Sequence, residues 1–210
     1  MNSAILLDLL GIALFAATGA LSASRKQLDI IGFLFLATIT GIGGGTARDL
    51  ILDVPVFWVE QPLHILICAV TAIGLFFTAH LLESRYRLLL WLDAVALAAY
   101  GVFGAYKGLL VTGSPVVAVV MGMLTGTLGG ILRDVLAGEP SVLMRKEIYI
   151  TAAMAGGLCY VGASLIGLAL PLAAGAGFAV ALGIRSGALA FGWSLPSYKG
   201  RPGRNPEDIP

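Results

Sequence analysis

A glycine-rich stretch ending in arginine and aspartate occurs twice, each time inside an apolar run. The first copy occupies residues 40–49 and the second residues 125–134, so the offset is 85 residues. The residues with possible chemistry are Gly43, Gly44, Gly45, Arg48 and Asp49 in the first copy and Gly129, Gly130, Arg133 and Asp134 in the second. Charged side chains in an apolar segment are costly unless neutralised, so they indicate an ion pair, an ion pathway or a group that reaches the membrane surface.

The same offset relates residues outside the motif. It pairs Asp8 with Asp93 and Gly19 with Gly104. The elements that must position the two motifs are therefore two copies of one duplicated unit.

The composition is that of a membrane protein. Hydrophobic residues make up 58% of the 210-residue chain and charged residues 12%, against about 25% charged residues in soluble domains. The net charge is +1 and the basic residues are scattered, so no nucleic-acid partner is expected. Contact with membrane lipids is expected instead.

Apolar runs long enough to cross a bilayer as helices predict an all-α protein with seven spans. The predicted spans are 4–22, 28–52, 61–82, 88–107, 114–136, 147–168 and 171–193. The first run lacks a basic n-region, so we expect it to be retained. The predicted units are a first three-helix repeat (1–85), a second repeat (86–170), a seventh helix (171–193) and a disordered cytoplasmic tail (194–210). Three spans per unit require the second repeat to be inverted.

Basic residues in the connections predict the orientation. Most of them fall on the side opposite to the N-terminus, which predicts an N-terminus outside and a C-terminus in the cytoplasm. These residues are Arg25, Lys26, Arg85, Arg87, Arg145, Lys146, Lys199, Arg201 and Arg204.

The glycines allow two interpretations. Three consecutive glycines weaken a helix, so a kink or unwound turn that exposes carbonyls is one. Close packing of small residues between helices is the other. A phosphate-binding loop is disfavoured, because the glycines follow a membrane helix rather than a strand.

Membrane depth suggests how the charges are neutralised. Each repeat brings an aspartate and an arginine to the same depth, which predicts the pairs Asp8 with Arg48 and Asp93 with Arg133. The alternative is that the arginines extend to the interface. Asp49 and Asp134 are expected not to face the adjacent arginines, and to be cation ligands or helix-end groups instead.

Other polar residues give weaker signals. Lys107 ends the fourth span where the first repeat has Ser22, so the two vestibules are expected to differ in charge. His64 and His80 are expected at the interfaces, and Arg185 packed on the bundle or between subunits. The sequence contains no catalytic constellation and no metal-ligand motif, so neither an enzyme nor a cofactor is expected.

The two motifs and the seven-span count resemble the trimeric intracellular cation (TRIC) channel family, in its prokaryotic branch, over residues 4–193. The resemblance implies a homotrimer in the prokaryotic inner membrane, with one pore per subunit lined by the first, second, fourth and fifth spans. It also implies voltage-sensitive conduction of monovalent cations, K⁺ over Na⁺, with kinks at the glycines and a gating role for Arg133. Leu128 departs from the pattern, because it stands where the first copy has Gly43.

Two other classes of function remain open. Inverted repeats also suit a secondary transporter of a small solute such as glycine. A scaffold without transport activity is the third class. Recordings of discrete currents distinguish a channel from a carrier, which shows saturable uptake.

Overall fold

The fold is a bundle of apolar helices in a computed structural model that describes residues 3–144, 147–196 and 198. Seven helices of at least 16 residues occur in these ranges: α1 (Ser3–Arg25), α2 (Ile30–Ile51), α3 (Leu63–Thr78), α4 (Arg85–Thr112), α5 (Pro115–Leu136), α6 (Ile150–Leu165) and α7 (Leu170–Phe191). A one-turn helix at Phe57–Glu60 lies between α2 and α3, and 3₁₀ turns lie at Ala79–Leu81 and Val142–Met144. No strand occurs among these described residues.

Local chemistry sets the helix starts. Asp29 caps α2 by accepting a hydrogen bond from the Gly32 N–H at 2.8 Å, and Ser84 and Ser114 cap α4 and α5 in the same way. Proline follows the cap of α5 and lies in the first turn of α7, where a missing N–H costs nothing.

The helices agree with the predicted spans to within a few residues, with two differences. Helix α4 has 28 residues and is longer than predicted, whereas α6 has 16 and is shorter. By length and composition, five helical segments can cross a membrane: 30–51, 63–81, 85–112, 115–136 and 170–191. The predicted tail, apart from 194–196 and 198, lies outside the described residues.

Four helices form the centre of the bundle. Helix α1 packs on α2, α4 and α5, and helix α5 packs on α2 and α4. Helix α3 packs on α1 and α2, and α6 packs on α4 and α5. Helix α7 packs on α6 and α4. Many large apolar side chains, such as Phe35, Leu66 and Phe77, are exposed, as expected of a surface that contacts lipid.

The glycines of the two motifs bring α2 and α5 into backbone contact. A Cβ on Gly44 would collide with the Thr125 carbonyl, and one on Gly129 would lie 2.5 Å from the Thr40 carbonyl oxygen. Because Gly44 and Thr40 are the 85-residue counterparts of Gly129 and Thr125, the two contacts are reciprocal. Residue numbers increase along one helix as they decrease along the other, so α2 and α5 cross antiparallel near residues 42 and 127.

Both helices are continuous through their glycines. The predicted unwound turn is therefore wrong. The small residues allow the two helices to pack closely while each helix keeps its own hydrogen bonds. A kink without loss of these bonds stays a prediction for Gly43, Gly44, Gly45, Gly129 and Gly130.

The ends of α2 and α5 differ in one strained residue. After each helix one residue has a positive φ, Asp53 at 53° and Gly138 at 62°. The turn is otherwise the same, since the N–H of the next residue donates to the carbonyl of Asp49 or Asp134 at 3.0 and 2.9 Å. Only glycine adopts this conformation without steric cost.

We expect Asp53→Gly to stabilise the protein by about 0.5–1 kcal/mol, because it removes the cost of a left-handed non-glycine residue. The exposed position of Asp53 leaves packing unchanged. Thermal unfolding in detergent should show a higher midpoint for Asp53→Gly and a lower one for the matched Gly138→Asp. Unchanged midpoints for both variants would contradict the prediction.

Candidate functional site

The second motif holds a buried charge cluster at the C-terminal end of α5. Arg133 is 3% exposed. Its Nη1 atom donates to Asp93 Oδ1 at 2.7 Å and to Thr18 Oγ1 at 3.0 Å, and its Nη2 donates to Asp134 Oδ1 at 2.9 Å. The predicted pair of Asp93 with Arg133 is confirmed. The guanidinium thereby links α1, α4 and α5.

The first motif has a different set of partners at the C-terminal end of α2. Arg48, 1% exposed, donates to Asp49 Oδ1 through Nε at 2.8 Å and through Nη2 at 2.7 Å. Lys107 Nζ donates to the same oxygen at 2.9 Å. The guanidinium also faces the Phe103 ring at 5.3 Å and the Phe57 ring at 5.8 Å, which is a favourable placement for a cation.

The predicted pair of Asp8 with Arg48 is wrong. Asp8 lies at the expected depth, but its carboxylate accepts hydrogen bonds from Tyr100 Oη at 2.9 Å and lies 3.1 Å from His64 Nε2. Arg48 is neutralised by its neighbour Asp49 instead. Equal depth does not settle which face of the helix a side chain takes.

One further expectation about the motif is also wrong, and the alternative placement of the arginines does not occur. Each arginine does contact the adjacent aspartate, because a side chain with four rotatable bonds bends back to a residue about 100° away around the helix. Neither arginine extends to the interface, since both are buried. Asp49 is fully buried too, and its Oδ2 accepts from the Phe57 N–H at 3.1 Å, which ties the one-turn helix to α2.

Lys107 is the accessible member of the first cluster. Its side chain is 25% exposed, whereas that of Asp49 is completely buried. Its counterpart in the first repeat, Ser22, is uncharged. Thr18 of the first repeat binds Arg133, whereas its counterpart in the second repeat, Phe103, lies near Arg48. The duplicated unit has therefore diverged in the polar partners of its arginines.

His64 was not expected to be buried. It is 4% exposed, its Nδ1 lies 2.8 Å from the Gln61 carbonyl oxygen, and its ring stacks edge-on with Phe57 at 4.9 Å. The expected position of His64 and His80 at the membrane interfaces stays a prediction. The internal repeat contains a signal for this burial. The 85-residue offset pairs His64 with Tyr149, which is buried close to Gly130 and Asp93.

Arg185 packs inside the bundle, as one of the two predicted alternatives has it. Its Nη2 donates to Glu147 Oε2 at 2.9 Å and its Nη1 to the Ile148 carbonyl at 3.2 Å. The guanidinium also lies over the Tyr149 ring at 5.0 Å. The arginine thus fastens α7 to the start of α6. No metal-ligand grouping occurs among the described histidine, cysteine and acidic residues.

Comparisons with known proteins identify relatives along the chain. A family model described as glycine transporter matches twice, at residues 5–80 and 90–165. The starts of the two matches are 85 residues apart, as are their ends, which agrees with the duplication inferred from the motifs. The UPF0126 inner membrane protein YadS of Escherichia coli is 39% identical over 198 residues, covering 91% of this chain and 94% of the relative.

Solved structures give the same result. A TRIC trimeric intracellular cation channel orthologue from Rhodobacter sphaeroides is 50% identical, with a TM-score of 0.89, covering 92% of this chain and all of the other. A structure described in work on conductance through TRIC cation channels is 28% identical, with a TM-score of 0.84, covering 94% and 98%.

Proposed function

Because the chain belongs to the TRIC family of membrane proteins, which the glycine transporter model also describes, we propose that it is a monovalent cation channel with one pore per subunit. The 50% identity to a TRIC cation channel orthologue over 92% of the chain is the observation that carries the proposal. The path runs between α1, α2, α4 and α5, which are the central helices of the bundle. It passes both charge clusters.

The positions of the clusters support one path within each subunit. Arg48 and Arg133 each follow the α2–α5 crossing by six residues, on helices that run in opposite directions. At 1.5 Å per residue they lie about 18 Å apart along the bundle. Charged groups are thus buried at two levels of one apolar bundle, and intramembrane charges of this kind are typical of ion pathways.

The conformation described is the closed one in this proposal. Both guanidinium groups are buried, and the glycine contacts hold α2 against α5. Opening moves Arg48 or Arg133 away from the path. A unit charge that crosses the whole membrane field gains about 2.3 kcal/mol per 100 mV, so a partial movement gives the voltage sensitivity. K⁺ is preferred over Na⁺, and Asp49 and Asp134 contribute negative charge along the path.

The architecture proposed is seven spans in two inverted repeats plus α7, with the N-terminus outside and the C-terminus in the cytoplasm. The antiparallel crossing of α2 and α5 and the repeated match of the family model support the inversion. The name of the Escherichia coli relative supports the inner membrane as the location. The name of the Rhodobacter sphaeroides orthologue supports a homotrimer, which mass measurement in detergent tests.

Recordings from the purified protein in planar bilayers test the channel. We expect discrete current steps in KCl, smaller currents in NaCl, and reversal potentials that follow the K⁺ gradient. Purified protein that gives no current steps at any voltage, but takes up a labelled solute with saturation and counterflow, would refute a channel.

Lys107 gives a sharper prediction. Replacing it with methionine removes a positive charge from the accessible side of the first cluster, while Asp49 keeps its bonds to Arg48. We expect the unitary K⁺ conductance to rise roughly twofold at low salt and less at high salt, where charges are screened. Lys26→Met is the matched control, because Lys26 is an exposed lysine with a surface partner in Glu139. An equal rise in both variants would contradict a path beside Lys107.

A small-solute carrier is the second candidate. The description of the family model as glycine transporter favours it. So does one atom, since Arg48 Nη1 is buried and has no hydrogen-bond acceptor among the described residues. A carboxylate of an amino acid would satisfy it. Counterflow of labelled glycine into proteoliposomes tests this function, and its absence in protein that conducts K⁺ would reject it.

A further inference from the structure

We propose that Asp8, His64 and Tyr100 form a proton-binding site that couples the protonation of His64 to opening of the path. The site joins three helices, because Asp8 is on α1, His64 at the start of α3 and Tyr100 on α4. The side chains of His64 and Asp8 are 5% and 15% exposed. The coupling to conduction rests on the proposed function, whereas the binding of the proton does not.

Both contacts of His64 are satisfied only when the His64–Asp8 pair carries two protons. Nδ1 lies 2.8 Å from the Gln61 carbonyl oxygen, which only accepts. Nε2 lies 3.1 Å from Asp8 Oδ2. A neutral imidazole carries one proton, so one of these contacts would set a nitrogen lone pair against an oxygen lone pair. An imidazolium donates to both oxygens.

Tyr100 determines where the negative charge lies. Its hydroxyl donates to Asp8 Oδ1 at 2.9 Å, so the carboxylate accepts a bond at each oxygen. Two donated bonds favour an ionised carboxylate. The pair is then an imidazolium and a carboxylate with no net charge, which is the inexpensive arrangement in an apolar bundle.

The surrounding groups give the site a connection to the first cluster. The Phe57 ring lies between the His64 ring at 4.9 Å and the Arg48 guanidinium at 5.8 Å. The Phe57 N–H also donates to Asp49. The charged or titratable groups that the packed elements place around this site are Asp8 on α1, Arg48 and Asp49 on α2, Cys68 on α3, and Tyr100 and Lys107 on α4.

Loss of the proton therefore acts on the packing of one end of the bundle. A neutral His64 cannot keep both of its contacts, so α3 and the one-turn helix lose a link to α1. The Phe57 ring then loses the fixed His64 ring as its edge-on neighbour. The same Phe57 ring lies 5.8 Å from the Arg48 guanidinium. The corresponding carboxylate of the second repeat, Asp93, is paired with Arg133. An arginine stays protonated in proteins, so that pair cannot respond to pH in the same way.

Nitrogen NMR of isotope-labelled histidine tests the proton site without reference to transport. His80 is the other histidine of the chain and is exposed, so the His80→Gln protein reports His64 alone. We expect both ring nitrogens of His64 to be protonated at the acid end of a pH series, and one proton to be lost as the pH rises. A ring with one proton throughout would overturn the site.

Recordings at varied pH test the coupling. We expect the open probability to rise as the pH is raised on the Asp8 side, by up to tenfold per pH unit since one proton is exchanged. His64→Gln should abolish this dependence, whereas His80→Gln should retain it. Retention of the dependence in folded His64→Gln protein would overturn the coupling. If the wild-type protein conducts no ions, the channel proposal fails, and the NMR titration still decides the site.

Discussion

Gly44→Ala is expected to destabilise the protein by about 3 kcal/mol, the upper part of the usual range for overpacking. The added methyl group would collide with the Thr125 carbonyl, which belongs to the backbone of α5 and has no rotamer with which to move away. Gly129→Ala should behave alike, because its methyl group would lie 2.5 Å from the Thr40 carbonyl oxygen. Thermal unfolding of the purified variants in detergent measures the loss.

Two other glycines provide matched controls. A Cβ on Gly43 meets only the end of the Leu132 side chain, which can rotate, and Gly74 has open space around it. Gly43→Ala should therefore cost little, and Gly74→Ala should gain up to about 1 kcal/mol from better helix propensity. If Gly43→Ala and Gly44→Ala cost the same, the reciprocal backbone contact does not hold α2 and α5 together.

The internal repeat already distinguishes these glycines. The counterpart of Gly43 is Leu128, so the second copy tolerates a large side chain at this place. The counterpart of Gly44 is Gly129, so this place is glycine in both copies, and these two residues make the reciprocal contacts. A comparison within one chain could therefore have separated the packing glycines from the others before the structure was known.

The spans were predictable because length and apolar composition are properties of the sequence itself. The charge network was predictable only in part. Membrane depth brought Asp93 and Arg133 together, but depth does not give the rotation of a helix or the reach of a bent arginine side chain. Asp8 and Arg48 have equal depth and different partners, since His64 and Asp49 lie closer. These choices depend on tertiary packing.

Arg133→Met is expected to cost about 3–5 kcal/mol, the usual penalty when one partner of a buried ion pair is removed. The guanidinium neutralises both Asp93 and Asp134, and it also binds Thr18. Its removal leaves two carboxylates close together at the C-terminal end of α5, where repulsion and burial both oppose their charge. Unfolding in detergent should show a large loss of stability, and Asp93→Asn should recover part of it in the double variant.

Arg48→Met is the matched control from the first repeat, and it should cost less, about 1.5–3 kcal/mol, because Asp49 keeps its bond to Lys107. The order of the two variants tests the divergence of the repeats directly, since identical repeats would give equal losses. Equal losses would contradict the role given to Lys107.

Recordings of Arg133→Met add a second measurement, because removal of a guanidinium that takes part in the gate must change the voltage dependence of opening. A variant with unaltered voltage dependence would restrict Arg133 to holding α1, α4 and α5 together.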